Sequence, residues 1–408
     1  MSKLNRRAFL KNLAFSSEKV APREGKVLVC IFLRGGADTL NMFVPYADSD
    51  YYKQRPTIAI PPPNKSKPNA EASIRLNDIY ALHPRLKPIL PIYQNGRMAI
   101  VQAVGSDNPT GSHFDTQDQI EHGEAYGKTI GGGWLGRHLR LNAQNHQTPL
   151  SAVSIGTSIC ESLSGAPSVS ALDSLDEIKL QTLPNDSHAM LAALTSLYGT
   201  EIDLLSQPGK DTIQLLNRVQ NMHNGGYHPE NNARYADDNL SKGLKEIARL
   251  IKANVGLQVA CIDFGGWDTH FVQGATEGLQ ADNIAQLGKA LEAFDADLQK
   301  YHSKVTTIVM TEFGRRTYEN GSLGTDHGQG SAMMVIGGGV RGGKFYGEWT
   351  GVSDQETDLL GPSGLRIKHD YRAVLSEVLS GMLHNHNVHK VFPDFKPTPI
   401  GFAPTTSA

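Results

Sequence analysis

Cysteine is scarce in this chain: 408 residues hold three, Cys30, Cys160 and Cys261, with no Cys-x-x-Cys pair. A thiolate zinc site or a disulfide framework is thereby set aside. Cys30 and Cys261 sit inside apolar runs and read as small core residues. Long apolar runs are missing too, since none approaches the ~20 residues that span a bilayer. Nor does one charge dominate. With 39 basic and 41 acidic residues the net charge is −2, which leaves no footprint for nucleic acid or for an anionic membrane. Glycine, by contrast, is plentiful: 41 residues, many at the ends of strand-like runs, where backbone must turn tightly around a site.

The N-terminus is set apart. Asn5-Arg6-Arg7-Ala8-Phe9-Leu10-Lys11 resembles the twin-arginine export signature. The apolar segment that normally follows is interrupted by Lys11 and Asn12 and ended by Ser16, Ser17, Glu18 and Lys19. Two destinations stay open: the periplasm if this signal works, the cytoplasm if it does not. Residues 1–25 are therefore excluded from the fold, and 26–408 are expected to form one domain with a mainly helical insertion at about 170–255.

Within that domain, buried-strand runs alternate with helical patterns. Val27–Leu33, Met98–Val104, Ser151–Ile155, Leu257–Ile262, Val305–Met310 and Ala332–Ile336 read as strands. Ile284, Leu287, Leu291, Phe294 and Leu298 stripe one face of a helix over Asn283–His302. Residues 46–75 read as a long proline-rich surface loop, and the tail from Pro393 as a surface wrap. Alternation of this kind predicts an α/β fold with a mostly parallel sheet covered on both faces.

Ionisable residues collect where these strands end, the place where open α/β sheets build ligand sites. Arg34 and Asp38 follow the first strand, Ser112 and His113 the second, Asp268 and His270 the fourth, Glu312 and Arg315 the fifth. Asp326 and His327 lead into the sixth. Asp268 and His270, two apart, project to one side of an extended segment, a pairing that suits zinc, manganese or iron. Ser112 stands where a loop enters a helix, near unpaired N–H groups; it can serve an anion, act as a nucleophile or simply cap the helix. Gly337-Gly338-Gly339-Val340-Arg341-Gly342 matches G-x-G-x-x-G in form, but no helix pattern follows. Phe345 stands where a phosphate-binding loop needs Ser or Thr. A glycine-rich hairpin is expected there, and a nicotinamide oxidoreductase is not.

Leu33-Arg34-Gly35-Gly36-Ala37-Asp38-Thr39-Leu40-Asn41, Ser112-His113-Phe114-Asp115, Gly265-Gly266-Trp267-Asp268-Thr269-His270, Thr311-Glu312-Phe313-Gly314-Arg315 and Gly324-Thr325-Asp326-His327-Gly328 occur in that order. Together they resemble a bacterial family labelled domain of unknown function 1501, placed in the alkaline phosphatase-like superfamily with sulfatases and phosphodiesterases. The resemblance implies a three-layer α/β/α sandwich with two metal ions at the strand ends. It implies that Ser112 falls near the nucleophile position, with Asp268, His270 and His327 near one metal. The chain also departs from that pattern. Phe313 occupies the place of a second histidine, Arg34 that of a metal-binding aspartate, and no Cys-x-Pro-x-Arg exists for formylglycine chemistry.

The expected activity is metal-dependent hydrolysis of a phosphate or sulfate ester, the substrate a small anionic ester or a glycan-derived one. One or two divalent ions (zinc, manganese or iron) are expected. Asp268, His270 and His327 would hold one, and Asp38, Glu312 and Asp326 an altered second position. Arg34, Arg315 and His113 would bind the substrate, the guanidinium forks clamping its oxygens. The other reading is a non-catalytic relative that binds a glycan, an anion or a protein partner through an eroded metal site.

Overall fold

The computed structural model describes residues 25–63, 72–142, 148–178, 187–199, 206–223, 226–352 and 364–404. The paired arginines, Arg6 and Arg7, lie outside them. Among the described residues the main sheet has nine strands: β1 (Val27–Leu33), β2 (Met98–Gly105), β3 (Ala152–Ile155), β4 (Ser170–Leu172), β5 (Val259–Phe264), β6 (Val305–Thr311), β7 (Ser331–Gly337), β8 (Lys344–Tyr346) and β9 (His369–Asp370). Their order is β8-β2-β7-β6-β1-β5-β3-β4, with β9 also on β2. β7 runs antiparallel to both neighbours, and the other pairings are parallel.

β1 shows why the strands read as unbroken apolar runs. Successive side chains leave opposite faces of a strand. Val27, Val29, Ile31 and Leu33 enter one core with α5 (Asn239–Lys252) and α6 (Leu279–Asp297), through Leu244, Ile247, Ile284 and Leu291. Leu28, Cys30 and Phe32 enter a second core with α1 (His113–His122), α2 (Trp134–Leu141) and α7 (Tyr371–Glu377), through Ile120, Leu135 and Leu375. Two cores on two faces make the three layers that the alternation predicts. All three cysteines are free, with Cys30 and Cys261 facing each other in register.

Several elements differ from the sequence reading. Residues 46–75 are more than a loop: Asp48 caps a helix over Ser49–Gln54, and Ile74–Arg75 joins Phe43–Val44 and Ala81–Leu82 in a small sheet. Tyr51 anchors this excursion inside the protein, donating to Asn41 at 2.7 Å and accepting from the Ile60 amide at 2.9 Å. The helical region is entered by a strand, β4, before α3 (Ser187–Gly199), α4 (Ser206–His223) and α5. α6 begins four residues before the expected start at Asn283, after Gly278, and gives way beyond Asp297 to a short 3-10 turn. The glycine run is no hairpin, for β8 pairs with β2 and not with β7. Gly342 allows this crossing, since a Cβ there would lie 2.5 Å from the Met98 backbone. The tail is held as well as wrapped: Glu377 accepts from the amides of Ile400 and Ala403, and Phe402 is fully buried.

The parallel arrangement delivers the carboxyl ends of β1, β2, β5 and β6 to one sheet edge. β7, running the other way, starts at that edge. Five polar segments therefore meet there.

At the opposite edge, Arg97 grips Asp295 with two hydrogen bonds of 2.5 and 2.8 Å, and His302 lies 3.1 Å from the same carboxylate. Burial alone would raise the Asp295 pKa, but these partners outweigh it and hold the group below its ordinary value. Its stabilisation is thus present above the unfolded aspartate pKa and lost as pH falls through the depressed one. Asp295→Asn should lower stability by about 2 kcal/mol at neutral pH, read as a shift in urea midpoint, with the gap to wild type closing below about pH 4.

Candidate metal centre

The centre is built on Asp268. Its Oδ1 lies 3.1 Å from His270 Nε2, 3.2 Å from His327 Nε2 and 3.4 Å from His113 Nε2. The Nε2 atoms of His270 and His327 are 3.0 Å apart. Each ring is tied from behind through its other nitrogen. His113 Nδ1 meets Glu312 at 2.7 Å, His270 Nδ1 meets Asp326 at 3.0 Å, and His327 Nδ1 meets the Gly111 carbonyl at 2.7 Å. Acceptors at all three Nδ1 atoms place the protons there in the neutral rings, so the Nε2 lone pairs converge.

That convergence is what a cation fits. Two bare imidazole nitrogens at 3.0 Å repel, and His113 Nε2 is buried with no hydrogen-bond partner. Ligand atoms of His113, Asp268 and His327 lie within 4.8 Å of one another. Nitrogen and carboxylate donors in this number suit zinc or a similar divalent ion.

Local backbone explains how the residues arrive. Ser112 caps α1, its hydroxyl accepting from the Asp115 amide at 3.4 Å, and His113 is the first residue of the helix. Gly35, at φ +117°, lets the loop after β1 lie against Asp268, where a Cβ would come within 2.6 Å of the Asp268 amide. Gly324 gives the same close approach to the His270 carbonyl, at 2.3 Å. Residues 312–316 then run antiparallel to 326–329, with a bridge between Arg315 and His327.

Phe313 forms the floor. Its ring centroid stands 4.9 Å from that of His113 and 4.7 Å from that of His327. The side chain is buried. A phenyl ring ligates nothing, yet here it wedges two imidazoles into their orientations.

Electrostatics follow from these contacts. Burial works to raise the Asp268 pKa, but the Arg315 hydrogen bond and charge, with His327 and His270, bring it down to about 2. Hydrogen bonding to Glu312 raises His113 against burial, whereas burial and the Arg315 charge lower His327. Glu312 is lowered despite burial by bonds from His113, Gln117 and backbone amides. Asp326 is lowered despite burial by Asn320 and His270.

The structure brings Asp268, His270 and His327 together and adds His113, which the sequence reading had placed at the substrate. Asp38, Glu312 and Asp326 do not gather into a second ligand set among the described residues. Asp38 is paired with Arg55 at 2.5 Å and accepts from Gln273 at 2.7 Å. Glu312 accepts from the Gly35 amide, Gln117 and Thr311 while backing His113. Asp326 backs His270. Both arginines are engaged: Arg34 with Glu121 at 2.8 Å and Asp263 at 3.0 Å, and Arg315, fully buried, with the carbonyls of Gly35, Gly36, Trp267 and Thr325 and with Asp268. Sequence reasoning missed Gln117 and Asn320. Gln117 had a readable signal, four residues after His113 on one helix face; Asn320, at 3.0 Å from Asp326, had none.

Fold and site together define an α/β sandwich protein with an imidazole–carboxylate centre at its strand ends. The chain belongs to the family described as "Protein of unknown function (DUF1501)", whose model matches residues 98–360. No curated protein matches the chain. Among solved structures, it is similar to the C-terminal periplasmic domain of EcEptC from Escherichia coli in complex with zinc, at 8% identity over 92% of this chain and 89% of that one, TM-score 0.39. Alkaline phosphatase from the Antarctic bacterium TAB5 is 10% identical over 77% and 92%, TM-score 0.28. PsFucS1 sulfatase from Pseudoalteromonas sp. is 13% identical over 83% and 66%, TM-score 0.32.

Gly36 tests the floor. It sits at φ +65°, and a Cβ there would meet the Phe313 ring at 2.6 Å. Gly36→Ala should lower the thermal midpoint and broaden the His113 and His327 imidazole resonances in NMR spectra, whereas an unshifted midpoint with unchanged resonances would show that Phe313 holds neither ring.

Proposed function

We propose that this protein is a metal-dependent hydrolase of phosphate or sulfate esters, of the alkaline phosphatase-like superfamily, with one divalent ion held by His113, Asp268, His270 and His327. The observation that carries this reading is the aim of three Nε2 atoms at one Asp268 oxygen, each ring locked from behind. A carboxylate or carbonyl behind a metal-binding imidazole fixes its tautomer and raises its basicity, and here all three rings have such a partner. Asp268 remains ionised through the neutral range, its pKa held at about 2. When bound, the divalent ion polarises the ester oxygen and lowers the pKa of a hydroxyl or water.

The chain's own residues do the remaining work. Ser112, at the cap of α1 beside His113, offers the hydroxyl that acts as nucleophile. Arg315 acts through Asp268, fixing its carboxylate with a 2.7 Å hydrogen bond; it is a positioning residue in this reading. Phe313 keeps water from the rear of two rings. Asp268 is about half exposed, so an ester approaches from solvent. Export through the paired arginines would place this chemistry in the periplasm.

One observation favours a second reading. The Arg315 guanidinium already neutralises the Asp268 oxygen toward which the histidines point. A protein that kept the constellation for binding an anion or a glycan, without turnover, would also show this.

Metal content separates the two. Wild-type protein titrated with zinc by calorimetry should take one equivalent, and His270→Ala none. Glu312→Gln, which removes a charge behind His113, should weaken binding by about 10- to 100-fold. Zinc-loaded protein should release phosphate or sulfate from simple esters, with Ser112→Ala at least about 100-fold slower. Wild-type protein that binds no zinc, or turnover that survives His270→Ala, would overturn the hydrolase reading.

A further inference from the structure

The described residues include ten exposed large hydrophobic side chains, and four stand on the segments that carry the metal-site histidines. Phe114 is 86% exposed, Phe271 69%, Val272 66% and Leu323 47%. Phe114 follows His113, Phe271 follows His270, and Leu323 precedes Asp326 by three residues. The Phe271 ring centroid lies 6.4 Å from that of His270. Val272 and Leu323 stand side by side, because the Val272 amide donates to the Ser322 carbonyl and the Gln273 amide to the Leu323 carbonyl, both at 2.9 Å. His270, His327 and His113 are in successive ring contact at 4.7 and 4.3 Å, so the segments that carry these apolar residues meet at one polar centre.

Such exposure is unfavourable in water, and an apolar patch beside a polar site marks where a ligand binds. Nor does the backbone rest easily there. Val272 at φ +42° and Leu323 at φ +59° occupy the left-handed region, which a β-branched residue such as Val272 seldom adopts. Polar residues would serve a small, fully hydrated ester equally well.

We propose that the substrate is amphipathic: an ester whose charged head meets His113, Asp268, His270 and His327, and whose alkyl chain lies on Phe114, Phe271, Val272 and Leu323. This rests on the hydrolase reading above and adds the chemistry of the leaving group. The ester bond cleaved joins the phosphoryl or sulfuryl group to the alkyl oxygen: the Ser112 oxygen takes the group while its proton goes to the departing alkyl alcohol, and water then frees the group as phosphate or sulfate and restores the serine hydroxyl.

Full-length, zinc-loaded protein is titrated with methyl, butyl and hexyl phosphate, binding measured by calorimetry and hydrolysis by phosphate release. Affinity should rise by about twofold to fourfold per methylene. The hexyl-to-methyl ratio should fall at least fivefold in Phe114→Ser and in Phe271→Ser, each checked for one equivalent of zinc. Equal affinity across the series, with methyl phosphate bound, would overturn the amphipathic substrate and leave the ester reading standing. Binding of none of the three would overturn both. Hexyl phosphate bound equally by His270→Ala would also overturn the proposal, because the patch would then act apart from the centre. Vesicles of dioleoyl phosphatidic acid in phosphatidylcholine separate the sources of such a head group. Zinc-dependent binding to them, lost in Phe271→Ser, makes the chain that of a membrane lipid, and hexyl binding without vesicle binding makes it a soluble alkyl ester.

Discussion

Everything at the strand ends hangs on one buried cation. Arg315 directs its guanidinium to the carbonyls of Gly35, Gly36, Trp267 and Thr325 and to the carboxylate of Asp268. A guanidinium has five N–H donors in a rigid fork, and burying it costs heavily unless they are satisfied. Satisfying them here requires the loops after β1, β5 and β6 and the segment before β7 to close on a single point. The same closure brings His270 and His327 to Asp268. Core packing supplies the sheet, but this charge decides how its loops meet.

Around that hub the carboxylates divide their duties. Asp268 faces the histidines, Glu312 and Asp326 stand behind two of them, and Asp38 serves Arg55 within the 46–75 excursion. Residues similar on paper act at different depths. Depth is set by partners: Glu312 is sealed among donors on every side, whereas Asp268 keeps one flank open to solvent.

The sheet was legible because strands buried on both faces leave apolar runs, unbroken in β1 and interrupted only by Gln102 in β2 and by threonines in β6. The clustering of polar residues at strand ends was legible too, since parallel topology dictates it. Less could be read where long-range pairing decides. The small sheet of the 46–75 excursion rests on two-residue strands and on Tyr51, whose partners Asn41 and Ile60 carry no periodic signal. The crossing of the glycine run from β7 to β8 depends on a strand over two hundred residues earlier in the chain. At the site, Asp268 and His270 announced themselves by spacing. The place of His113 in the centre did not, because only the fold shows that its ring lies against His327 and Phe313.

Phe313 also constrains how such a centre can change over time. The phenyl ring is packed against two imidazoles and against the backbone of Gly36. A histidine at that position would place a polar, titratable ring where an apolar one now packs beneath both neighbours, loosening the arrangement they share. Position 313 is therefore tied to two rings at once. With His113 and His327 both leaning on a hydrocarbon floor, the set of these rings is fixed by packing from below, and change that spares it must fall outward, at the rim.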